Sequence, residues 1–356
     1  MPESVMEPLR ATLFSGYIGQ GPRVEEFEGA LSARLGAPHA LALNSATSGL
    51  QLALRLAGVG PGDEVITTPL TCAATNWAIL AQGAVPVWAD VDPATGNLDP
   101  RAIESLVTPK AKAVMVVHWG GYPADLDETW SVARRHGLKV IEDAAHAFGS
   151  TYKGVHVGTQ SDFGVFSFQA IKHMTTVDGG LLLARDASAY SRGKRLRWYG
   201  IDREADPTDL RCENDVEEWG WKFHMNDVAA TIGLEQLKHV DRIVALHRDN
   251  AAFYDRELRN IPGVELLALR RDRESASWIH TIKVDARDEF IAVMRSRGVM
   301  TSRVHERNDK HSTVAAWRRR LPQLDAFVAR MVCIPVGWWV SEDDRQFIAN
   351  SIRAGW

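Results

Sequence analysis

The sequence predicts an α/β fold with a large, mostly parallel central sheet and a smaller C-terminal α+β unit, and three observations carry this. From residue 38 onward, short β-rich apolar runs alternate with longer stretches of helical period, the rhythm of parallel βαβ winding and not of a sandwich or bundle. A length of 356 residues suits one large domain and one smaller. With 45% hydrophobic and 24% charged residues, the composition is that of an ordinary globular chain able to bury its core unaided.

The predicted strands are 38–43, 64–67, 85–88, 113–117, 139–142, 163–167 and 180–184. Each is a short run rich in Val, Ile, Leu or Phe, as expected of strands covered on both faces. Between them the pattern predicts helices at 47–57, 72–82, 100–106, 125–136 and 187–198. Gly60-Pro61-Gly62-Asp63 turns the chain into a strand, and Asp125 or Asp127 opens a helix. The polar stretch 202–218 reads as an excursion or lid, and a long helical pattern follows over about 225–258. Mixed signals at 278–284, 286–297, 322–331 and 341–352 give the smaller unit, with the boundary placed between 244 and 245. No internal repeat or low-complexity segment interrupts the order.

Composition removes several classes of function. Net charge is -4, from 41 basic and 45 acidic side chains interspersed, so no basic face awaits a nucleic-acid backbone. Three cysteines, Cys72, Cys212 and Cys333, with no CxxC pair, exclude a disulfide framework or zinc ribbon and fit a reducing, cytoplasmic setting. The start MPESVMEPLR lacks an apolar leader, and no run approaches the roughly 18 apolar residues of a membrane span. Twelve tryptophans are the one excess.

Three strand ends carry the chemistry. Strand 139–142 runs into Glu142-Asp143-Ala144-Ala145-His146. A carboxylate there is costly unless paired, although taken alone it reads as an N-cap. Strand 163–167 runs into Ser167-Phe168-Gln169-Ala170-Ile171-Lys172 and a Thr175-Thr176, Gly179-Gly180 turn. A lone lysine is usually a surface residue. A lysine paired with an aspartate, however, is what pyridoxal phosphate demands: an amine for its aldehyde and a carboxylate for its ring nitrogen. Between the first strand and its helix, Asn44-Ser45-Ala46-Thr47-Ser48-Gly49 leaves helix N-terminal amides free for a phosphate. That segment is not GxGxxG, which argues against a nicotinamide-binding Rossmann enzyme.

With these residues in place, the chain resembles the DegT/DnrJ/EryC1/StrS-type sugar aminotransferases, within fold type I of the pyridoxal-phosphate enzymes. The resemblance rests on SGYIGQGPRVEEFE at 15–28, ALNSATSGLQLAL at 42–54, GDEVITTPLTCAATN at 62–76, ADVDPATGNLDP at 89–100 and VHWGGYPADLD at 117–127. It continues through IEDAAHAFGS at 141–150, FSFQAIKHMTTVDGG at 166–180 and WGWKFHMNDVAATIGLEQL at 219–237. It implies that residues 1–244, with an N-terminal arm, form the cofactor-binding domain. It makes Lys172 the Schiff-base lysine and general acid/base, Asp143 the partner of the pyridine nitrogen, and His146, one helical turn on, a neighbour of the ring. Ser45, Ala46, Thr47 and Ser167 would take the phosphate, joined by Lys222 or His224 from the loop Gly220–Met225 of a neighbouring subunit, so the active site would need a homodimer. The implied reaction is ping-pong transfer of an amino group from glutamate to a keto sugar carried on a nucleotide.

The chain departs from the family pattern at Cys72, where members usually place an aromatic ring over the cofactor. Either Cys72 itself lies against the ring, or Trp77 or another tryptophan compensates. His173 directly follows the lysine. Dehydratases of this family replace the lysine itself with His, but Ser167-Phe168 fixes the register and keeps Lys172, favouring transamination. The other readings are a non-catalytic sensor or scaffold on the same fold and a dehydratase. In the loop Val304–His311, the spacing of His305 and His311 argues against a metal. The resemblance places His305 and Arg307 near the substrate mouth, with a solvated loop as the alternative. Trp77, Trp119, Trp219, Trp221, Trp338 and Trp339 are expected at subunit and substrate surfaces.

Overall fold

In the computed structural model, which describes residues 1–205 and 215–356, two helices precede the first strand. α1 (Met6–Phe14) leaves Met6, Leu13 and Phe14 exposed. α2 (Pro22–Leu35) buries Val24, Phe27, Leu31 and Leu35 at helical spacing and stops at Gly36 in the left-handed region. The chain then runs through β1 (Ala40–Leu43), α3 (Ala46–Leu56), β2 (Glu64–Thr67), α4 (Ala73–Leu80) and β3 (Val85–Trp88). Next come α5 (Pro100–Ile103), β4 (Ala111–Val117), α6 (Leu126–His136), β5 (Lys139–Asp143) and the short hairpin β6 (Thr151–Tyr152) and β7 (Val155–His156). β8 (Phe163–Ser167), β9 (Gly180–Ala184) and α7 (Ala187–Leu196) close the series. All seven expected strands are present, with ends within two residues of expectation.

The seven strands form one sheet in the order β1-β9-β8-β5-β4-β2-β3. β2, β3, β4, β5 and β8 pair in parallel, while β9 runs antiparallel to both β8 and β1. Alternate residues face opposite layers. Ala42, Val116, Val140 and Leu181 join one core with α2, α6 and α8 (Asp227–Leu237), whereas Leu41, Met115, Ile141 and Leu182 join another with α3 and α4. Consecutive positions at the end of β5 therefore point to opposite sides of the sheet, which separates Glu142 from Asp143.

The single helix expected over 225–258 is two, α8 and α9 (Val240–Glu257), broken at Lys238–His239. α8 also holds the N-terminal arm: Asp227 accepts the amides of Gly21, Arg23 and Val24, capping α2 from a distance of two hundred residues in sequence. The smaller unit contains β10 (Val264–Leu266), β11 (Arg273–Glu274), β12 (His280–Val284), α10 (Arg287–Ser296), α11 (Pro322–Arg330), β13 (Met331–Ile334) and α12 (Glu342–Arg353). β10, β12 and β13 form its antiparallel sheet, and β11 joins the β6–β7 hairpin. The boundary expected between 244 and 245 falls inside α9, which gives Val240 and Val244 to the first core and Ala251, Phe253 and Tyr254 to the core of the smaller unit.

Most of the expected lid at 202–218, and Cys212 with it, lies outside the described residues. Among the described residues no helix is long and apolar enough to cross a membrane. The tryptophans divide: Trp88 and Trp119 are buried against α11 and β13, whereas Trp219, Trp338 and Trp339 are exposed.

Candidate active site

The carboxyl ends of β5 and β8 and the start of α3 meet along one edge of the sheet, where open α/β sheets bind their ligands. Asp143, the last residue of β5, is buried, and its side chain turns toward α4. Thr75 Oγ1 donates to Asp143 Oδ2 at 2.7 Å, and the Ala145 amide donates to Oδ1 at 3.1 Å. Burial pushes the Asp143 carboxyl up in spite of these donors. A protonated ring nitrogen beside it would supply the missing counter-charge.

Glu142 points to the other layer. His118 takes the Ala124 amide on Nδ1 at 3.1 Å and so donates from Nε2 to Glu142 Oε2 at 2.9 Å. The Gly158 amide donates to the same oxygen at 2.6 Å. Adjacent acids thus serve two purposes: Glu142 locks the strand end from behind and Asp143 faces the site.

Lys172 follows β8 and is half-buried. Burial is the main cause that pushes its ammonium from 10.5 down to about 8, with the nearby Asp143 and Cys72 acting the other way. His146 is buried and held well below the ordinary histidine range, first by burial and next by the charge of Lys172. It sits in the turn that follows β5 and not one helical turn on, because the chain turns at Ala145-His146 and forms no helix there. Its ring stacks on Trp278 at 3.9 Å and lies parallel to His305 at 5.5 Å. His146 Nδ1 and His305 Nε2 are buried without a partner among the described residues.

The first turn of α3 supplies the third part. Ser45 caps it, its Oγ taking the Ser48 amide at 3.1 Å and leaving the Ala46 and Thr47 amides at the open helix end. Ser167 pairs with Gly180 across β8 and β9, and a Cβ on Gly180 would lie 2.5 Å from the Ala46 nitrogen. Glycine is what lets the start of β9 close against the cradle. The depressed lysine, the buried aspartate lacking a full counter-charge, the orphaned imidazole nitrogen and the open amides fit the amine, ring nitrogen, ring edge and phosphate of pyridoxal phosphate.

Other expected residues are divided. Cys72 is half-buried at the N-terminus of α4, and its carbonyl accepts Asn308 Nδ2 at 3.3 Å, which docks the loop 304–311 on the site. His305 from that loop lies 6.0 Å from Trp119, and burial followed by the Lys172 charge pushes its imidazole down to about 4. Arg307 is turned away, held by Asp309 at 2.7 and 2.6 Å and by Asp325 of α11, because two carboxylates on its own side compete for the guanidinium. His311 lies edge-on to Trp77 at 5.7 Å, so the two loop histidines diverge. Among the described residues no group of three or more His, Cys, Asp or Glu is placed to hold a metal ion.

Lys222 is exposed, and His224 stacks on Trp198 at 4.0 Å and bridges to Leu43 at the edge of β1. The loop that carries them is clamped from outside: the Arg55 guanidinium lies 4.3 Å from the ring of Trp219 and 4.9 Å from that of Trp221. Sequence reasoning gave no role to Thr75, His118 or Trp278. Thr75 stands in a motif already noted, whereas Trp278 is brought to Lys172 from 106 positions away by the smaller unit.

The DegT/DnrJ/EryC1/StrS aminotransferase family model matches residues 1–353. The structure of AtS13 from Actinomadura melliaura is 48% identical, covering 99% of this chain and 96% of that one at a TM-score of 0.95. The sugar aminotransferase CalS13 from Micromonospora echinospora is 43% identical, covering 100% and 98% at a TM-score of 0.96. The spore coat polysaccharide biosynthesis protein SpsC of Bacillus subtilis (strain 168) is 38% identical over 309 residues, 84% of this chain and 79% of the relative. On its fold, the residues gathered at the sheet edge and this likeness over its whole length, the chain belongs to the DegT/DnrJ/EryC1/StrS aminotransferase family.

Proposed function

We propose that this pyridoxal-phosphate-dependent sugar aminotransferase takes an amino group from glutamate and places it on the keto carbon of a nucleotide-linked deoxysugar, in two half-reactions. The observation that carries the reading is Lys172: a half-buried lysine pushed down to about 8, opposite a buried aspartate, at the carboxyl edge of the sheet. With a pKa of about 8, about a quarter of the amine is neutral at pH 7.5, against about 0.1% at the ordinary value. A base of that strength suits proton transfer at carbon.

Pyridoxal phosphate, when bound, supplies an aldehyde for the amino group and a ring that stores the electrons released at the donor's Cα. Asp143 keeps a proton on the ring nitrogen, itself oriented by Thr75. The amides of Ala46 and Thr47, with Ser45 and Ser167, hold the phosphate. Lys172 Nζ carries the proton between the donor's Cα and C4′ of the cofactor, and His146 flanks the ring. Glutamate leaves as its keto acid before the sugar enters, so nitrogen is conserved across the pair. His305 and the loop that carries it line the sugar's entry. Lys222 or His224 of a second subunit completes the phosphate site, and the exposed Phe14, Tyr17 and Ile18 give the arm an apolar surface for that dimer. The reaction is assigned to the cytoplasm.

Titrating the cofactor-loaded protein with glutamate tests this directly. The visible absorbance should bleach, release one equivalent of 2-oxoglutarate, and return only on adding the right nucleotide-linked keto sugar. A spectrum indifferent to every amino donor, with cofactor bound, would remove the enzymatic reading.

A further inference from the structure

We propose that Trp278 is a positioning residue for Lys172, its indole face holding the free ammonium and its ring N–H holding the main chain beside it. The proposal rests on Lys172 being the cofactor-bearing lysine. Lys172 Nζ lies 3.5 Å from the centre of the Trp278 ring, close enough for a direct cation–π contact. His146 stacks on the same indole at 3.9 Å and 22°. An ammonium and an imidazole that close leave room for only one on each face, so Trp278 is sandwiched between them.

The indole is fixed by bonds that run both ways between the two segments. Trp278 Nε1 donates to the carbonyl of Ile171 at 2.9 Å, directly before the lysine. His173, directly after it, donates from Nε2 to the carbonyl of Ala276 at 2.9 Å. His247 of α9 donates from Nδ1 to the carbonyl of Ser277 at 3.0 Å, and its ring meets that of His173 at 4.5 Å. Ser277 is left-handed, with φ of 52°, a conformation kept by the anchors on either side. Gly121 makes room for the strand of contacts, since a Cβ there would lie 3.2 Å from the Ser277 nitrogen and 2.7 Å from the His146 carbonyl oxygen.

The arrangement answers a need of the reaction. The donor displaces the lysine amine, which stays free until the second half-reaction ends, and a four-carbon side chain with no fixed contact would wander and lose rotamer entropy again at its return. The face of Trp278 gives the amine one resting place, and the clasp on residues 171 and 173 fixes the backbone from which it reaches. The titratable groups around Lys172 are Asp143, Cys72, His146, His173 and His305. Among them only Asp143 and Cys72 favour its charged form, so the indole adds a third stabiliser of the ammonium.

The test uses full-length protein stripped of cofactor, with Trp278→Leu and Trp278→Phe. Acylation of Lys172 by acetic anhydride is followed against pH and quantified by mass spectrometry of its peptide. Losing the face should lower the Lys172 pKa by about 0.4–1.5 in Trp278→Leu, while Trp278→Phe, which keeps an aromatic face, should show less than half that change. Circular dichroism and melting check folding; if the leucine variant fails to fold, Trp278→Tyr and Trp278→Phe are compared with the wild type, and the same small fall is expected in both. A Lys172 titration unmoved in every folded variant, or moved equally by leucine and phenylalanine, overturns the proposal. Borohydride trapping of pyridoxal phosphate on a different lysine would instead overturn the assignment of Lys172 and leave the contact without this purpose.

Discussion

A half-buried, desolvated lysine kept for chemistry should cost the cofactor-free chain stability, and Lys172→Met measures that cost. Burial pushes the ammonium from 10.5 down to about 8, a gap worth about 3 kcal/mol, with the indole contact acting to reduce it. Methionine has nearly the same length and no charge to desolvate. Stripped of cofactor, the variant should therefore exceed the wild type in unfolding free energy by about 1–3 kcal/mol at pH 7. The sign of the pH dependence is fixed. Between about 8 and 10.5 the unfolded chain binds more protons at this position than the folded chain, so the wild type gains stability as pH rises through that window. The advantage of Lys172→Met should shrink through the same window and vanish above it. Urea melts of both proteins from pH 7 to 11 read it, since all other groups cancel in the difference. A variant less stable than the wild type at pH 7, or a difference flat with pH, would show that Lys172 sits unstrained and that its depressed basicity is not what suits it to catalysis.

Thr75→Val removes the 2.7 Å bond to Asp143, and loss of a hydrogen bond to a buried charge should weaken pyridoxal phosphate binding about 10- to 100-fold in an absorbance titration. Gly180→Ala sets a Cβ 2.5 Å from the Ala46 nitrogen and should displace the open turn of α3; affinity for pyridoxal phosphate should fall while affinity for unphosphorylated pyridoxal stays. His118→Ala strips the 2.9 Å donor from fully buried Glu142, and a loss of about 3 kcal/mol in a urea melt is expected. Arg307→Gln, on an arginine occupied by Asp309 and Asp325, should leave the KM for the sugar within about twofold, whereas His305→Ala should raise it; equal effects would return Arg307 to the substrate mouth.

What the sequence made legible was the part of the fold with strong periodicity. β4, β5, β8 and β9 are covered on both faces, and their unbroken apolar runs could hardly be anything but buried strands. The site residues on those strand ends were legible for the same reason, since position after a strand is position at the edge. α2 was missed although Val24, Phe27, Leu31 and Leu35 carry its period, because no strand signal precedes it. The break at Lys238–His239 had no glycine or proline to announce it. Arg307 and Trp278 show the deeper limit. Which carboxylate takes a guanidinium, and which ring a lysine meets, depend on partners brought in by tertiary packing, and local spacing holds no record of them.

The reversed direction of β9 has a consequence for Lys172. A parallel strand after β8 would have to begin at the far end of the sheet, and the intervening chain would have to cross its whole depth to get there. Because β9 runs antiparallel, Gly180 starts beside Ser167, where β8 stops. The segment 168–179, with the lysine in it, never leaves the reactive edge. It is a short loop tethered at both feet by adjacent strands, with Phe168 accepting the Thr176 amide at 2.9 Å as a brace across its base. One strand's polarity thus converts what would be a crossover into a fixed bracket, and the amine stands on it.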